Sequence, residues 1–562
     1  MDIKKKILKY TLQNAVKFNG KANPGAVIGK LLKEDEGLKS RIKQLSKGIQ
    51  KAVKEVNKLS LEQQKEKLKQ IAPEMLEKKK AEKRGLPELK NAVMGKVVTR
   101  IPPEPSKYNH IGHALSFLLN YLYAKKYRGK SVLRFEDTNP TASKQEYVDA
   151  MKEDVLEYLD IKPDKTVFVS DDMPRFYKLA EDLIKRNKAY VCFCKREKMQ
   201  DLRHKGLSCE CRNNSAEKNL EEWKNMLNRK YKEGECVLRL KIDLKSGNHV
   251  MRDPVIFRII YAEHYRQKNK YCVWPLYDFE NAVEEEFCGI THILRSSEFG
   301  NMRIELQDYI KDLFGFKKQE IIQYGRFNVA GAITQGREIR KLISEKKVIG
   351  WDDPRLVTLR ALKRRGIAPE VFYELALKVG LSKTLTNIDW TVISSISRKI
   401  LDANSNRYFF IHEPKEIAIK NAPEMQVKIK LHPEHDDRGT RSLKTDERFY
   451  IPKNDFRELK QGELYRLMHA FNFKKQKNQF VFDSVELEKY KKQGKSIMHW
   501  LPRHEKLVSV EVLMPNAEIV RGVAEPSVKK IKINEVVQFE RFGFCRLDSI
   551  EKDKLSFWFT HE

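Results

Sequence analysis

His110 and His113 stand three residues apart within His110-Ile111-Gly112-His113. On a helix that spacing puts both imidazoles on one face. Two ring N–H donors at a helix N-terminus suit a polyphosphate, because the first turn presents unpaired amides and the positive end of the dipole. Gly112 between them leaves room for a flat ring to approach the backbone. A second chemical group is sulfur, in Cys192-Phe193-Cys194 and Cys209-Glu210-Cys211. Four thiolates in two close pairs match a tetrahedral zinc site. Such a site is structural, since no coordination position stays open for a substrate. Cys236, Cys272, Cys288 and Cys545 are scattered and are expected to be buried.

The histidines need a strand–loop–helix unit to hold them. Residues 96–101 are rich in β-formers, and Pro102-Pro103-Glu104-Pro105 then breaks the strand, because proline lacks an N–H and disfavours helix before it. The pattern predicts a helix over 110–127 and a strand over 130–135 that ends in Glu136-Asp137-Thr138-Asn139-Pro140. A helix over 143–159, a strand over 166–169 and a helix over 174–187 continue the alternation. This is the first half of a parallel, nucleotide-binding α/β sheet, whose ligands sit beyond the carboxyl ends of the strands.

The expected organisation is multidomain. Residues 1–94 form a charged helical extension, with Ile49, Val53, Val56 and Leu59 at helical spacing. Residues 95–191 are the first catalytic half. An inserted module at 192–285 carries the cysteines and short strands at 235–242 and 257–260, and the second half returns over 286–340. A helical region follows at 341–406. From 407 to 562 short strands at 409–412, 417–419, 427–431, 479–482, 508–512, 536–544 and 555–559 suggest β-barrels.

The chain has 562 residues and a formal charge of +32, from 110 Lys+Arg against 78 Asp+Glu. That excess suits a protein that meets a polyanion, with binding that weakens steeply as salt rises. The apolar content of 41% supports ordinary cores. No apolar run is long enough to span a membrane, and no apolar segment follows Met1-Asp2-Ile3-Lys4-Lys5-Lys6 to make a signal peptide. A cytoplasmic protein is expected, with paired cysteines on a metal rather than in disulfides.

Three segments carry a resemblance: Thr99-Arg100-Ile101-Pro102-Pro103-Glu104-Pro105, the His110–His113 tetrad, and Leu133-Arg134-Phe135-Glu136-Asp137-Thr138-Asn139-Pro140. Together they resemble the class I aminoacyl-tRNA synthetases, in the glutamyl/glutaminyl branch and its archaeal-type glutamyl form. The resemblance implies a Rossmann-type parallel sheet, an inserted acceptor-binding domain, a helical stem-contact domain and C-terminal anticodon-binding β-barrels. It also implies ATP with Mg²⁺, glutamate and tRNA(Glu), and leaves open whether tRNA(Gln) is charged as well, as it is by non-discriminating members. Pro103, Glu104, His110, Gly112 and His113 would bind the nucleotide, with His110 and His113 stabilising its phosphates. Arg100, Glu136, Tyr277 and Arg295 match positions of the amino-acid pocket. There Glu136 would hold the α-ammonium, Arg100 and Arg295 the carboxylates, and Tyr277 would donate its hydroxyl. Glutaminyl members carry a small uncharged residue where Arg295 stands, so glutamate is the expected substrate. A glutaminyl enzyme is the alternative. The N-terminal extension would contact tRNA or a partner protein.

Two places depart from the family pattern. Pro105-Ser106-Lys107 replaces a glycine-containing turn before the histidines. Farther on, Ile333-Thr334-Gln335-Gly336-Arg337-Glu338-Ile339-Arg340-Lys341 replaces a loop of the Lys-Met-Ser-Lys-Ser type. Gly336 takes the position of that loop's most important lysine, and Arg337 is the expected substitute on the nucleotide. A tRNA- or amino-acid-binding relative with weakened aminoacylation is the second class of reading that this loop opens.

Overall fold

The computed structural model describes residues 3–18, 20–34, 42–72, 75, 85–552 and 554–562. Its compact units are Met1–Gly85 and Leu86–Glu562. In the first, helices α1 (Ile3–Lys17), α2 (Pro24–Glu34), α3 (Ile42–Val56) and α4 (Leu61–Ile71) pack around Leu12, Val27, Leu31, Ile49, Val53, Val56 and Leu68. Ser60 caps α4 by accepting from the Gln63 N–H, and Gln63 reciprocates to the Ser60 amide, which pairs two otherwise orphaned donors. The buried Gln64 amide donates to the Val56 and Gly20 carbonyls and so ties two turns together. The end of the lysine-rich stretch, 76–84, lies outside the described residues.

The second unit opens with β1 (Val98–Ile101), α5 (Ile111–Lys126), β2 (Lys130–Phe135), α6 (Gln145–Lys152, running on through a wider turn to Tyr158), β3 (Lys165–Phe168) and α7 (Met173–Lys185). Then follow β4 (Ala189–Cys192), α8 (Arg196–Lys205), α9 (Ala216–Leu227), β5 (Val237–Leu240), β6 (Val255–Ile259), β7 (Val273–Pro275), α10 (Tyr277–Phe287), β8 (His292–Ser296), α11 (Gly300–Phe314) and β9 (Glu320–Tyr324). β1, β2 and β3 are parallel, and so are β8 and β9. The Thr291 N–H donates to Val98 O at 3.0 Å, and the Val98 N–H donates to Thr291 Oγ1 at 2.8 Å, which sets β8 beside β1. The strand order is therefore β3-β2-β1-β8-β9. The chain steps outward from β1 in both directions, so a crevice opens where the carboxyl ends of β1 and β8 diverge. Leu115, Leu118 and Leu119 of α5 lie in the core with Leu133, Phe135 and Leu294 of the strands.

The insert holds the expected short strands as β5 and β6, and its sheet begins earlier in the chain, at β4. β4 does not continue the parallel sheet; it is the edge of a four-stranded antiparallel sheet, β4-β5-β6-β7. The core of that sheet also takes Phe176 and Leu183 of α7 and Leu306 and Ile310 of α11. Apolar periodicity marks a strand but not the sheet it joins.

After β9 come β10 (Phe327–Val329), α12 (Gly336–Ser344), α13 (Leu359–Arg364), α14 (Pro369–Val379), β11 (Thr386–Ile388) and α15 (Trp390–Asn404). The helical region thus holds one short strand that the sequence pattern hides, β11, paired in parallel with β10. Beyond it lie two seven-stranded sheets. One runs, in order, through 407–408, 536–539, 543–551, 554–561, 508–513, 519–524 and 410–412. Its two edge strands are neighbours in the chain, so the sheet closes on itself around Val510, Val537, Leu547 and Phe557. The other, built from 414–502, closes in the same way at Gly494–Met498 and Leu501–Pro502. It is carried as an excursion of the first. The stretch 536–544, read as one strand, is a hairpin: Arg541 takes a left-handed φ of 63° and turns the chain. Arg364 binds Asp548 through two N–H groups at 2.7 and 3.0 Å, and the buried Arg365 donates to Thr560 O at 3.0 Å, fixing the first sheet to α13. Among the described residues no helix is long and apolar enough to cross a membrane.

Candidate active site

The crevice at the ends of β1 and β8 is a cavity of about 850 Å³. Arg100, Pro103, Glu104, His110, Gly112, His113, Glu136, Tyr277 and Arg295 all line it. Arg100 is on β1 and Arg295 on β8, and Glu136 follows β2. Tyr277 opens α10. The Glu136 N–H donates to Pro103 O at 3.0 Å, which holds the two strand-end loops together.

His110 is the N-cap of α5. The Gly112 N–H donates to His110 Nδ1 at 3.0 Å, and the His110 N–H donates to His113 Nδ1 at 3.1 Å. An Nδ1 that accepts carries no proton, so each neutral ring must carry it on Nε2. Burial, reinforced by Lys107 and Arg326, lowers the His110 pKa to about 3, and burial likewise holds His113 well below the usual range. Both are therefore neutral Nε2–H donors at pH 7. Packing also calls for glycine at 112: a Cβ there would lie 2.9 Å from His110 Cε1 and 3.1 Å from Phe327 O. Behind the tetrad, Asn109 Nδ2 donates to Asp154 at 3.0 Å, and the Leu359 N–H donates to Asn109 O at 2.9 Å.

The amino-acid side of the cavity is a charge lattice. Arg100 Nε donates to Glu285 Oε1 at 2.9 Å, and Arg134 Nη2 donates to the same oxygen at 3.3 Å and to Glu136 Oε1 at 2.7 Å. Asn281 Nδ2 reaches Glu136 Oε1 at 3.1 Å. Burial would raise the Glu285 pKa, but Arg134 and Arg100 outweigh it and hold it below the usual carboxylate range. Sequence reasoning missed Arg134 and Glu285 as parts of this lattice. Arg134 was visible only as a charge inside a strand, and Glu285 belongs to an acidic run that reads as a solvated face.

Arg295 donates through Nη1 to Gln307 Oε1 at 2.9 Å. Its Nε and Nη2 are buried without a hydrogen-bond partner among the described residues. These two N–H groups form one edge of the guanidinium fork, the same edge by which Arg266 grips Asp171 at 2.8 and 2.6 Å elsewhere in this chain. Phe299 packs between Arg295 and Tyr277, its ring 5.4 Å from the guanidinium and 5.6 Å from the Tyr277 ring. Burial pushes the Tyr277 hydroxyl pKa up, so it remains a donor.

The structure does not bring Arg337 to this cavity. It lies in the first turn of α12 with its side chain exposed, and Glu338 beside it is exposed too. The lining cations near the histidines are Lys107 and Arg326 instead. In the insert, Cys192, Cys194, Cys209 and Cys211 converge, with their sulfurs all within 4.8 Å of one another and Cys192 Sγ 3.8 Å from Cys209 Sγ. The set could hold a metal ion. Arg239 Nη1 lies 3.7 Å from Cys192 Sγ.

Residues 96–403 match the catalytic domain of the class I tRNA synthetases (E and Q). Residues 405–491 and 497–548 match two anticodon-binding domains of the same group. The chain is 44% identical over 577 residues to a glutamate–tRNA ligase of Pyrococcus abyssi, with 100% of each chain covered. It is 43% identical over 578 residues to one of Pyrococcus furiosus and 39% identical over 567 residues to one of Methanocaldococcus jannaschii, again with 100% of each chain covered. With both the catalytic and the anticodon-binding regions matched and whole chains aligning end to end, the chain belongs to the class I tRNA synthetases of the E and Q group.

Proposed function

We propose that the chain is a glutamate–tRNA ligase that uses ATP, and that the unpaired edge of the Arg295 fork is what selects glutamate. A carboxylate offers two acceptors to that edge. The amide of glutamine offers one acceptor and an NH₂, which would point donor at donor. Arg100 takes the other carboxylate, Glu136 the α-ammonium, and the Tyr277 hydroxyl donates a hydrogen bond. In the first step an oxygen of the α-carboxylate forms a bond to the α-phosphorus. The bond from that phosphorus to the bridging oxygen breaks, and pyrophosphate leaves with the electron pair. The Nε2–H groups of His110 and His113 donate to the phosphate oxygens as charge builds there, and Pro103, Glu104 and Gly112 form the nucleotide's bed. Mg²⁺ accompanies the triphosphate as part of the substrate. In the second step the terminal ribose hydroxyl of the tRNA attacks the acyl carbon, an ester forms, and AMP departs. The C-terminal sheets would read the anticodon, and the insert would meet the acceptor end.

With tRNA present, ATP–pyrophosphate exchange should run with glutamate and not with glutamine; exchange with neither would refute the assignment. Charging of purified tRNA(Glu) and tRNA(Gln) decides how widely the product is made.

The cysteine cluster fits zinc. A tetrahedron with arms of about 2.3 Å has sulfur–sulfur edges of about 3.8 Å, which matches the Cys192–Cys209 separation of 3.8 Å. Cys192, Cys194, Cys209 and Cys211 would fill all its positions, so the ion would hold the insert's loops rather than react. Protein purified without added zinc should carry about one zinc per chain. Cys209→Ser should lose that zinc and lower the unfolding midpoint. Metal-free wild type of equal stability would remove the ion from the account.

A further inference from the structure

The two departures from the family pattern meet in space. Lys107 lines the cavity with His110 and His113. Gly336 is the first residue of α12 and is buried. A Cβ built on Gly336 would lie 2.9 Å from Lys107 Cδ and 3.3 Å from Lys107 Cβ. The lysine stem therefore lies across the only face of residue 336 from which a side chain would grow. Arg340, one turn along α12, donates through Nη1 to Ser106 O at 3.2 Å and fastens the helix to the Lys107 turn.

The charge balance calls for such a cation. A triphosphate carries several negative charges, and the two imidazoles beside it are neutral donors. Of the other cations nearby, Arg326 Nη1 is paired with Glu298 at 2.9 Å, Arg303 Nη1 with Asp278 at 3.1 Å, Arg340 Nη1 is bound to Ser106 O at 3.2 Å, and Arg337 faces outward. Arg258 also lines the cavity and is exposed. Burial lowers the Lys107 pKa, with Arg326 and Arg340 adding to it, while Glu104 and Glu298 oppose the shift. Lys107 also stands at the start of α12, where the helix's unpaired amides favour the same anion.

We propose that Lys107 is the catalytic cation of this enzyme, neutralising the phosphates of ATP from the turn before the histidines, and that position 336 must be glycine to seat its stem. This rests on the cavity being the ATP site. The α12 loop, having lost a lysine at 336, is complemented by the lysine of the turn packed against it.

The experiment is ATP–pyrophosphate exchange with glutamate and tRNA on the full chain, with ATP affinity measured separately by equilibrium dialysis. Lys107→Met should lower exchange by roughly 10²-fold, as removal of one donor to developing charge commonly does. The KM for glutamate should hold, which a merely structural role would not allow. Lys107→Arg should keep exchange within about tenfold of wild type, since it restores the charge on a different fork. Gly336→Lys alone should impair, because its side chain would run into Lys107. Combined with Lys107→Gly, it should recover most of the lost exchange. The proposal falls if Lys107→Met is as active as wild type, if it weakens glutamate as much as ATP, or if the double variant is no better than Lys107→Gly. Wild type without any exchange would instead refute the functional assignment, and the ATP-affinity ratio of wild type to Lys107→Met would still judge Lys107.

Discussion

Arg295→Cys is expected to lower glutamate-dependent pyrophosphate exchange by on the order of 10³-fold and leave ATP affinity unchanged. The size follows from what the guanidinium does in the empty pocket. Its Nε and Nη2 are already desolvated and have no partner among the described residues. The desolvation cost is thus met before glutamate arrives, and binding gains two charge-assisted hydrogen bonds without repeating it. Burial presses the Arg295 pKa down, although the group stays charged at neutral pH. Removing it leaves an incoming side-chain carboxylate buried opposite Phe299 and Gln307, which carry no positive charge. Glutamine needs no cation there, so Arg295→Cys should close the gap between the two amino acids chiefly by losing glutamate. Measured exchange with both substrates, plus ATP dialysis, checks this. Glutamate exchange within about tenfold of wild type would show that Arg100 alone selects the substrate.

The two arginines of the pocket differ in how far the sequence reveals them. Arg295 is the penultimate residue of β8, after the apolar Ile293 and Leu294, and a charge at that place has few roles other than a site. The His110–His113 helix was equally plain, since the proline run before it stops β1 and leaves α5 only one way to begin. What holds Arg100 in place was not visible. Glu285 is 185 residues away in the chain, and it sits between Glu284 and Glu286 in a run that looks solvated. Only the packing of α10 against β1 and β2 buries it. The displaced loop cation has the same origin. Arg337 is next to the missing lysine in sequence, whereas Lys107 is next to it in space. β4 and the hairpin at Arg541 escaped for a related reason. Alternation of apolar residues is blind both to the partner of a strand and to a three-residue reversal inside it.

Glu285→Gln should destabilise the catalytic unit by about 3–5 kcal/mol, the range for breaking a buried ion pair by removing one partner. Glu285 and Arg134 are 0% exposed and Arg100 is 2% exposed. Arg134 would keep Glu136, but Arg100 would be left with neutral acceptors only, the carboxamide oxygen at 285 and Leu294 O at 3.3 Å. The variant preserves shape and volume, so the loss reports charge. The sign with pH follows from the lowered pKa of the folded carboxyl. Such a group adds stability above its unfolded pKa, about 4.3, and loses it as pH falls through the folded value. The difference between wild type and variant in urea should therefore be full at pH 7 and shrink in acid. A gap that stays constant with pH would mean that geometry, not charge, carries Glu285. Glutamate binding should weaken as well, because an Arg100 without its anchor no longer waits in the bound position. A variant as stable as wild type at pH 7 would mean that the two guanidiniums are held by Glu136 and backbone carbonyls alone. The pocket's preorganisation would then have to come from α10 itself.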